Sequence, residues 1–462
     1  MSSFKRLILI IVLIILVGVM TGCGDNKKMV ELENAIGDLQ SFVNEFKDEK
    51  DILLDEIESL TAQIEELEKD KGTQQSIIYA LRSSLEEANN KLKALEEKIS
   101  SVATEIKVQL ADSYSLVVGD NFQLFYRSII QAPNPYGYYI KIEGTRGHIF
   151  NRYYEYNPTD ADAGKSFNLK VSVCDANGVE FGSDETILYV SKSKIDSSKH
   201  VTKNILCIGD SLTSNGVWVG QGIKRYNEAG YTKINTLGTI SKTVNGTTVN
   251  YEGRGSWSWA NYLEGITLDG VYTDTPFRSK TNSSKISFKE YANNLGYSKI
   301  DELYILLTWN GVGGTMREYS FNDWLFSNAK KLIDTFHTEF PSGKVTLIAI
   351  PKPSTNAGLG AYYQVSKDNY GDNYGVSVSI MRYNQFMEDW CNMAGYSSFM
   401  RYVDGMGQFD SEYNMPSESK PVNNQSTVKE SIGNAMGIHP NNNGYMQIGD
   451  IFFRALMKEW EE

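Results

Sequence analysis

One heptad repeat runs through residues 29–106 and restricts this part of the chain to a long helix. Position a holds Met29, Ile36, Val43, Lys50, Ile57, Ile64, Lys71, Ile78, Leu85, Leu92, Ile99 and Ile106; position d holds Leu32, Leu39, Phe46, Leu53, Leu60, Leu67, Gln74, Leu81, Ala88, Leu95 and Val102. This apolar seam is typical of a coiled coil, and β-branched residues at a with leucine at d favour a parallel homodimer. At 1.5 Å per residue the helix would be about 115 Å long.

An alternative for this segment is a hairpin that folds back near Gly72, where glycine weakens the helix. The unbroken register favours the single long helix.

Most of the chain's net charge of −12 lies in residues 29–106, so we assign the acidity to a solvated stalk surface rather than to substrate binding. The sequence contains no basic patch typical of nucleic-acid binding, no Cys/His spacing for a metal and no phosphate-binding glycine motif, so we expect no nucleic acid, metal or cofactor.

The N-terminus predicts the location of the protein. Two basic residues precede the apolar run Leu7–Met20, which is the pattern of a signal peptide over residues 1–22. The sequence Met20-Thr21-Gly22-Cys23 resembles the lipobox of bacterial lipoproteins, which implies cleavage before Cys23 and a lipid on its sulfur. Residues 23–28 would then be an anchor linker. The alternative is an uncleaved anchor, and both predict an extracytoplasmic protein attached to the bacterial cell membrane.

Residues 107–198 predict an all-β region. Residues 121–126 and 166–171 alternate apolar and polar side chains as half-buried strands do. The sequence Asp175-Ala176-Asn177-Gly178 is a hairpin-turn signal. Short strands over this length favour an immunoglobulin-like β-sandwich. The region is rich in tyrosine, which either packs at domain contacts or forms a sugar-binding face; we favour packing.

A serine turn after a buried strand is the clearest chemical signal in the chain. The apolar run Asn204–Ile208 predicts a strand, residues 209–213 the turn, and the sequence through Ala229-Gly230 a helix. Ser211 therefore lies where open α/β sheets bind ligands and where a helix N-terminus stabilises a developing anion. Gly-Asp-Ser is also ordinary turn chemistry.

Three later segments add to this signal. They are a glycine turn at Gly253–Trp257, an apolar strand with its following loop at Tyr304–Gly311, and a loop before the last helix at Gly437–Asn441. Serine, glycine, asparagine and histidine in this order resemble the SGNH (GDSL-type) hydrolase family, roughly over Lys203 to Glu462. The resemblance implies an α/β fold, a three-layer αβα sandwich, within a domain over residues 199–462, and it implies ester hydrolysis.

The resemblance implies specific roles at the matching positions. Ser211 resembles the nucleophile and His439 the general base, while the Gly255 N–H and the Asn310 side chain resemble oxyanion donors beside the Ser211 N–H. Asp210 resembles a structural aspartate. Independently, a serine needs a nearby base, and histidine has the suitable pKa. The other histidines, His148, His200 and His337, fall in another domain, a connection and a helix surface.

One position departs from the family pattern. The acid that usually orients the imidazole, three residues before it, is replaced by Met436, which cannot accept that hydrogen bond. Three upstream acids remain candidates: Asp404, Asp410 and Glu430. The alternative is a Ser-His dyad whose ring is held by a backbone carbonyl.

These patterns predict a cell-surface serine esterase that removes O-acetyl groups from carbohydrate and needs no cofactor. The predicted partners are an acylated carbohydrate or another ester substrate, the membrane through Cys23, and a second copy of the chain. Trp218, Trp257, Trp259 and Trp309 lie near the motifs, where they either stack on sugar rings or pack in the core. The alternatives are a non-catalytic glycan-binding surface protein and a lipase, although no long apolar lid segment favours the latter.

Overall fold

The computed structural model describes residues 51–52, 54–63, 84–87, 89–91, 106–132, 134–191, 201–307, 310, 323–354, 373–433 and 437–458. The chain divides into two compact units, residues 1–105 and 106–462. The described residues of the first unit are helical, as the heptad pattern predicts. The pairing of this helix, the signal segment and Cys23 lie outside the described residues and stay predictions. Within these ranges, no helix is long and apolar enough to cross a membrane.

Residues 106–191 form a β-region with a core of its own. Its strands are β1 (Lys107–Val108), β2 (Ser113–Leu116), β3 (Phe122–Phe125), β4 (Ile130–Gln131), β5 (Tyr139–Gly144), β6 (His148–Ile149), β7 (Tyr153–Tyr156), β8 (Ser166–Cys174) and β9 (Glu180–Val190), and a single helical turn, α1 (Tyr126–Ile129), lies between β3 and β4. One sheet has the order β2-β9-β8-β5, another has β3-β7-β6, and β1 pairs with β4. The immunoglobulin-like assignment stays a prediction.

The alternating pattern of these strands explains how the β-region packs. In β2 and β7 every second residue is buried, because successive side chains of a strand point to opposite faces. Leu116, Leu124, Val171 and Leu188 from both larger sheets meet in one core. The predicted turn at residues 175–178 joins the antiparallel strands β8 and β9, with Gly178 at φ +81°.

Residues 201–458 form the α/β region. Its strands are β10 (Lys203–Gly209), β11 (Ile234–Leu237), β12 (Ile240–Val244), β13 (Thr247–Gly253), β14 (Ile266–Leu268), β15 (Val271–Thr273), β16 (Glu302–Leu306), β17 (Lys344–Ile348), β18 (Met400–Val403), β19 (Ser417–Pro421) and β20 (Lys429–Gly433). Its helices are α2 (Ser211–Ser214), α3 (Val217–Glu228), α4 (Trp259–Glu264), α5 (Phe288–Asn294), α6 (Asp323–Glu339), α7 (Asn373–Asn392) and α8 (Asn442–Met457).

Strand β10 is the centre of a mostly parallel sheet. On one side it pairs with β16, which is followed by β17 and β18. On its other side it pairs with β11 along its first half and with β13 at Ile208 and Gly209. The strand order therefore reverses at β10, and open α/β sheets bind ligands outside the carboxyl ends of the strands at such a point.

The helices pack in pairs around this sheet. Trp218 of α3 and Tyr304 of β16 both contact the ring of Phe452 on α8, at centroid distances of 5.0 and 4.8 Å. Phe288 of α5 packs edge-on against Phe336 of α6 at 5.4 Å. The region is thus a mixed α/β fold, and its assignment to the three-layer SGNH sandwich stays a prediction.

The structure corrects the prediction of one continuous helix after the serine turn. The helix is interrupted between α2 and α3, where Gly216 has φ +68°. A Cβ at Gly216 would lie 2.5 Å from the ring of Tyr251, so a glycine is required there. The predicted helix end is present: Gly230 has φ +93° just beyond α3.

The β-region and the α/β region share an extensive polar interface. Asp120 accepts hydrogen bonds from Arg454 of α8 at 2.7 Å and from Arg225 of α3 at 2.8 Å. Tyr114 donates to Asp404 at 2.6 Å, and the fully buried Lys352 donates to the carbonyl oxygen of Arg127 at 3.0 Å. Burial lowers the pKa of Lys352 to about 7. The predicted boundary between the two regions, at residues 198–199, lies outside the described residues.

Candidate active site

Ser211 is the first residue of α2, and Asp210 alone separates it from the end of β10. Asp210 is fully buried and caps this helix by accepting the Leu212 N–H at 2.9 Å, which is the structural role expected for it. A Cβ on Gly209 would lie 2.1 Å from the Thr213 hydroxyl and 2.2 Å from the Leu306 carbonyl oxygen. Only glycine therefore allows the strand to turn so tightly into the helix.

Ser211 and His439 lie near the two ends of the α/β region in sequence, and the fold brings their side chains together. The Nε2 atom of His439 lies 2.8 Å from the Ser211 Oγ. The histidine loop is held at both ends: the Gly437 carbonyl oxygen accepts from the Ser354 N–H at 2.6 Å, and Asn441 caps α8 by accepting the Gly444 N–H at 3.0 Å. The helix cap is thus Asn441, and His439 is left to contact the serine.

His439 is half-buried, and this burial lowers its pKa from the ordinary value of 6.5. A lowered pKa keeps the imidazole neutral at neutral pH, because desolvation disfavours the charged form. A neutral imidazole can accept a proton from the serine hydroxyl.

The candidate orienting acids have other partners. Asp404 accepts from the Tyr114 hydroxyl and from two backbone N–H groups, while Asp410 accepts from Arg152 at 2.7 Å. Glu430 lies in β20, exposed and opposite Lys420 in the β19–β20 hairpin. Among the described residues, no hydrogen bond or ion pair joins these carboxylates to His439. Met436, the residue in the usual acid position, lies outside them.

The predicted oxyanion turn lies beside the serine turn. The Arg254 N–H donates to the Gly209 carbonyl oxygen at 2.9 Å, and the Trp257 N–H closes a turn on the Arg254 carbonyl oxygen at 3.2 Å. Ser256, inside this turn, has φ +66°, a left-handed conformation that is uncommon for a residue with a side chain. No atom lies within 4 Å of a Cβ built on Gly255, so this side of the turn is open.

Asn310, which follows β16 in the chain, contacts the same turn. Its side-chain nitrogen donates to the Trp257 carbonyl oxygen at 3.1 Å. Ser211, Gly255 and Asn310 therefore follow β10, β13 and β16 in the chain, and His439 precedes α8.

Tyr262 is a residue of this site that sequence reasoning missed. Its fully buried hydroxyl donates to the Gly209 carbonyl oxygen at 2.8 Å and also contacts the Glu252 carbonyl oxygen, and the Gly209 N–H lies 3.4 Å from it. The phenol thus joins the ends of β10 and β13. The capping box at Ser258 and Asn261 signals the helix start but does not signal this contact.

The tryptophans near the motifs pack in the core, so the sugar-stacking interpretation is wrong for the three that the structure describes. Trp218, Trp257 and Trp259 are 0, 3 and 1% exposed. Trp218 donates to the Thr213 hydroxyl at 3.2 Å, and Trp257 packs edge-on against Tyr262. Trp309 lies outside the described residues.

The described residues include no cluster of His, Cys, Asp and Glu side chains suited to hold a metal ion. Cys174, Cys207 and Cys391 are buried free thiols, and Cys207 packs within β10.

No protein-family model matches the sequence, and no curated protein does. The chain is similar to solved structures at low identity. A carbohydrate esterase family 3 protein from Talaromyces cellulolyticus is 14% identical, with a TM-score of 0.36, 55% of this chain covered and 96% of that one. The periplasmic domain of a lipopolysaccharide acetyltransferase from Salmonella ser. Paratyphi A is 14% identical, with a TM-score of 0.32, 56% of this chain covered and 85% of that one.

A third similar structure extends over more of the chain. It is a carbohydrate esterase family 2 enzyme with a carbohydrate binding domain from Corynascus thermopiles (Myceliophthora fergusii). It is 12% identical, with a TM-score of 0.31, 73% of this chain covered and 92% of that one. At these identities and TM-scores the similarities establish neither the family nor the activity of this chain.

Proposed function

We propose that the chain is a serine esterase that transfers an acyl group from an ester to water through Ser211 and His439. The observation that carries this proposal is the 2.8 Å contact between the Ser211 Oγ and the His439 Nε2 at the switch point of the parallel sheet. A nucleophile and a base within hydrogen-bond reach are the minimum for such chemistry.

In the proposed mechanism the Ser211 oxygen attacks the ester carbonyl while His439 accepts the hydroxyl proton. The imidazolium then gives this proton to the departing alkoxide, so the alcohol leaves and an acyl-enzyme remains. Water attacks the acyl-enzyme with His439 as base, and the protonated ring returns the proton to the serine as the acid is released.

The negative charge that develops on the carbonyl oxygen needs donors that are already in position. We assign this role to the N–H groups of Ser211 and Gly255 and to the Asn310 amide. The Asn310 nitrogen carries two hydrogens. One is used by the Trp257 carbonyl oxygen, and the other is the proposed donor to the substrate.

We propose an O-acetyl group on carbohydrate as the substrate, with support that excludes the buried tryptophans. The buried tryptophans no longer provide a reason to expect stacking on sugar rings. The remaining support is the predicted location at the cell envelope, where acylated glycans are accessible. A lipase role and a non-catalytic glycan-binding role are the alternatives that activity measurements separate.

Hydrolysis of a chromogenic acetyl ester by the full chain tests the proposal. Ser211→Ala and His439→Ala should each remove nearly all activity without lowering the melting temperature. Ser241→Ala on the exposed face of β12 and His148→Ala on the exposed strand β6 are matched controls that should retain it. A fully active Ser211→Ala protein would show that the esterase assignment is wrong.

From sequence alone we also propose the setting of this activity. A lipid on Cys23 would attach the protein to the outer side of the bacterial cell membrane, and the helix of residues 29–106 would pair with a second copy. The esterase region would then act at a distance from the membrane surface.

A further inference from the structure

The side chain of Glu412 contacts three side chains of the β-region, two by hydrogen bonds and one by an ion pair. Its Oε2 accepts from Arg152 Nε at 2.6 Å and from the Tyr136 hydroxyl at 2.9 Å, and its Oε1 forms an ion pair with Arg127 Nε at 2.9 Å. The Glu412 side chain is only 12% exposed. A carboxylate held by two guanidinium groups and a phenol at low exposure has little freedom to move.

Arg152 also contacts other residues of the turn that carries Glu412. Its second nitrogen donates to the Asp410 carboxylate at 2.7 Å, and its guanidinium lies 4.3 Å from the centre of the Tyr413 ring. The same Asp410 oxygen accepts the backbone N–H groups of Glu412 and Tyr413 at 3.0 and 3.2 Å. The β-region therefore holds both the side chains and the backbone shape of the turn of residues 410–415.

The turn of residues 410–415 also binds the histidine loop. Asn441, two residues after His439, donates its N–H to the Asn414 carbonyl oxygen at 3.0 Å. Its side-chain nitrogen donates to the carbonyl oxygens of Tyr413 and Met415, each at 3.1 Å.

The start of α8 packs closely against the turn of residues 410–415. A Cβ on Gly444 would lie 2.4 Å from the Asn414 carbonyl oxygen. Gln447 accepts from the Asp410 N–H at 3.0 Å and from the Asn414 side chain at 2.7 Å, which ties the same turn to α8.

We propose that Glu412 is a positioning residue for His439, and that the β-region acts through it to hold the base against Ser211. This inference rests on the proposed esterase function. The arrangement assigns to the β-region a part in turnover, since the catalytic pair lies wholly within the α/β region. A displacement of about 1 Å at a catalytic group costs on the order of 100-fold in rate, so a restraint on the loop has a measurable effect.

A second ion cluster across the same interface provides a matched control. Asp120 of the β-region pairs with Arg454 and Arg225, which lie in the last turns of α8 and α3. Asp120→Asn weakens the attachment of the β-region without removing a contact to residues 410–415. A purely structural role for Glu412 predicts the same effects for Glu412→Gln and Asp120→Asn.

The test is the rate at which a fluorophosphonate labels Ser211 in the full chain, together with the melting temperature. We expect labelling of Glu412→Gln to fall roughly tenfold or more, whereas Asp120→Asn labels at the wild-type rate, although both melt at lower temperature. Arg152→Lys keeps the charge but loses the two-pronged contact. It should show the same loss and serves as the second variant if Glu412→Gln does not fold.

A double-mutant cycle shows whether Glu412 acts through the histidine. In a His439→Ala background, Glu412→Gln should have no further effect on the residual labelling rate. Equal labelling of wild type, Glu412→Gln and Arg152→Lys would overturn the inference and leave the esterase proposal intact. A wild-type protein that does not react would overturn the esterase proposal, and the positioning role with it.

Discussion

The hydroxyl of Tyr262 lies 2.8 Å from the carbonyl oxygen of Gly209, two residues before Ser211. It also contacts the Glu252 carbonyl oxygen, so one buried phenol joins the ends of β10 and β13, which precede Ser211 and the proposed oxyanion turn. Tyr262→Phe removes this buried donor, although the Gly209 carbonyl oxygen keeps the Arg254 N–H. Loss of one such hydrogen bond costs about 1 kcal/mol of stability. We expect a lower melting temperature and a lower kcat with KM nearly unchanged.

Tyr272→Phe is the control for this change. Tyr272 is exposed in β15, and its hydroxyl contacts Glu264 and Asp274. The Tyr272→Phe protein should have the kcat and KM of the wild type. A Tyr262→Phe protein that loses stability but keeps its kcat would show that the phenol supports the fold alone.

Asn310→Ala removes the proposed side-chain donor of the oxyanion hole. Loss of one such donor typically lowers kcat by about 100- to 1,000-fold. Steady-state kinetics should show this loss in kcat with a smaller change in KM, and Asn293→Ala on the exposed side of α5 should show neither. An effect confined to KM would assign Asn310 to substrate binding.

The pH dependence of kcat/KM should report His439. The base functions only when neutral, and burial lowers its pKa below 6.5. Activity should therefore be lost as the pH falls through a pKa below that value. The stability of the folded chain should also fall as the pH drops below 6.5, because His439 of the unfolded chain is protonated at a higher pH than His439 of the folded chain. An acidic limb above pH 6.5 would instead indicate a carboxylate that stabilises the imidazolium, contrary to a dyad.

Asp404→Asn tests the first of the candidate orienting acids. Burial raises the pKa of Asp404, and its partners are Tyr114 and the N–H groups of Met406 and Gly407. An asparagine can still accept from this backbone, so we expect most of the esterase activity to remain. Glu430→Gln in the exposed hairpin should be fully active. Loss of activity in either variant, at unchanged stability, would identify the missing acid.

The coiled coil predicted for residues 29–106 should pair in parallel and in register. In a Cys23→Ala background, Met29→Cys at a seam position should form a disulfide-linked dimer on oxidation, because equivalent a positions meet in a parallel coiled coil. Asn34→Cys, on the outer face, is the matched control and should crosslink poorly. An elongated dimer on gel filtration is expected, whereas a compact monomeric hairpin would contradict the prediction.

Several elements were predictable because their signals lie within a few residues. The β8–β9 hairpin follows from its Asp-Ala-Asn-Gly turn, and the end of α3 from Gly230. The order of serine, glycine, asparagine and histidine singled out Ser211 and His439, whose side chains are in contact. The break at Gly216 was missed, because it depends on the ring of Tyr251 in a distant strand.

The sequence by itself determined several of the strands and turns and the candidate catalytic residues. These depend on local periodicity and on backbone preferences. Only the tertiary structure decided that Trp218 and Trp259 are buried, that Asp410 pairs with Arg152, and that Glu412 links the β-region to the histidine loop. Such contacts join residues far apart in the chain, and the free energy of each depends on burial and geometry that no local pattern carries.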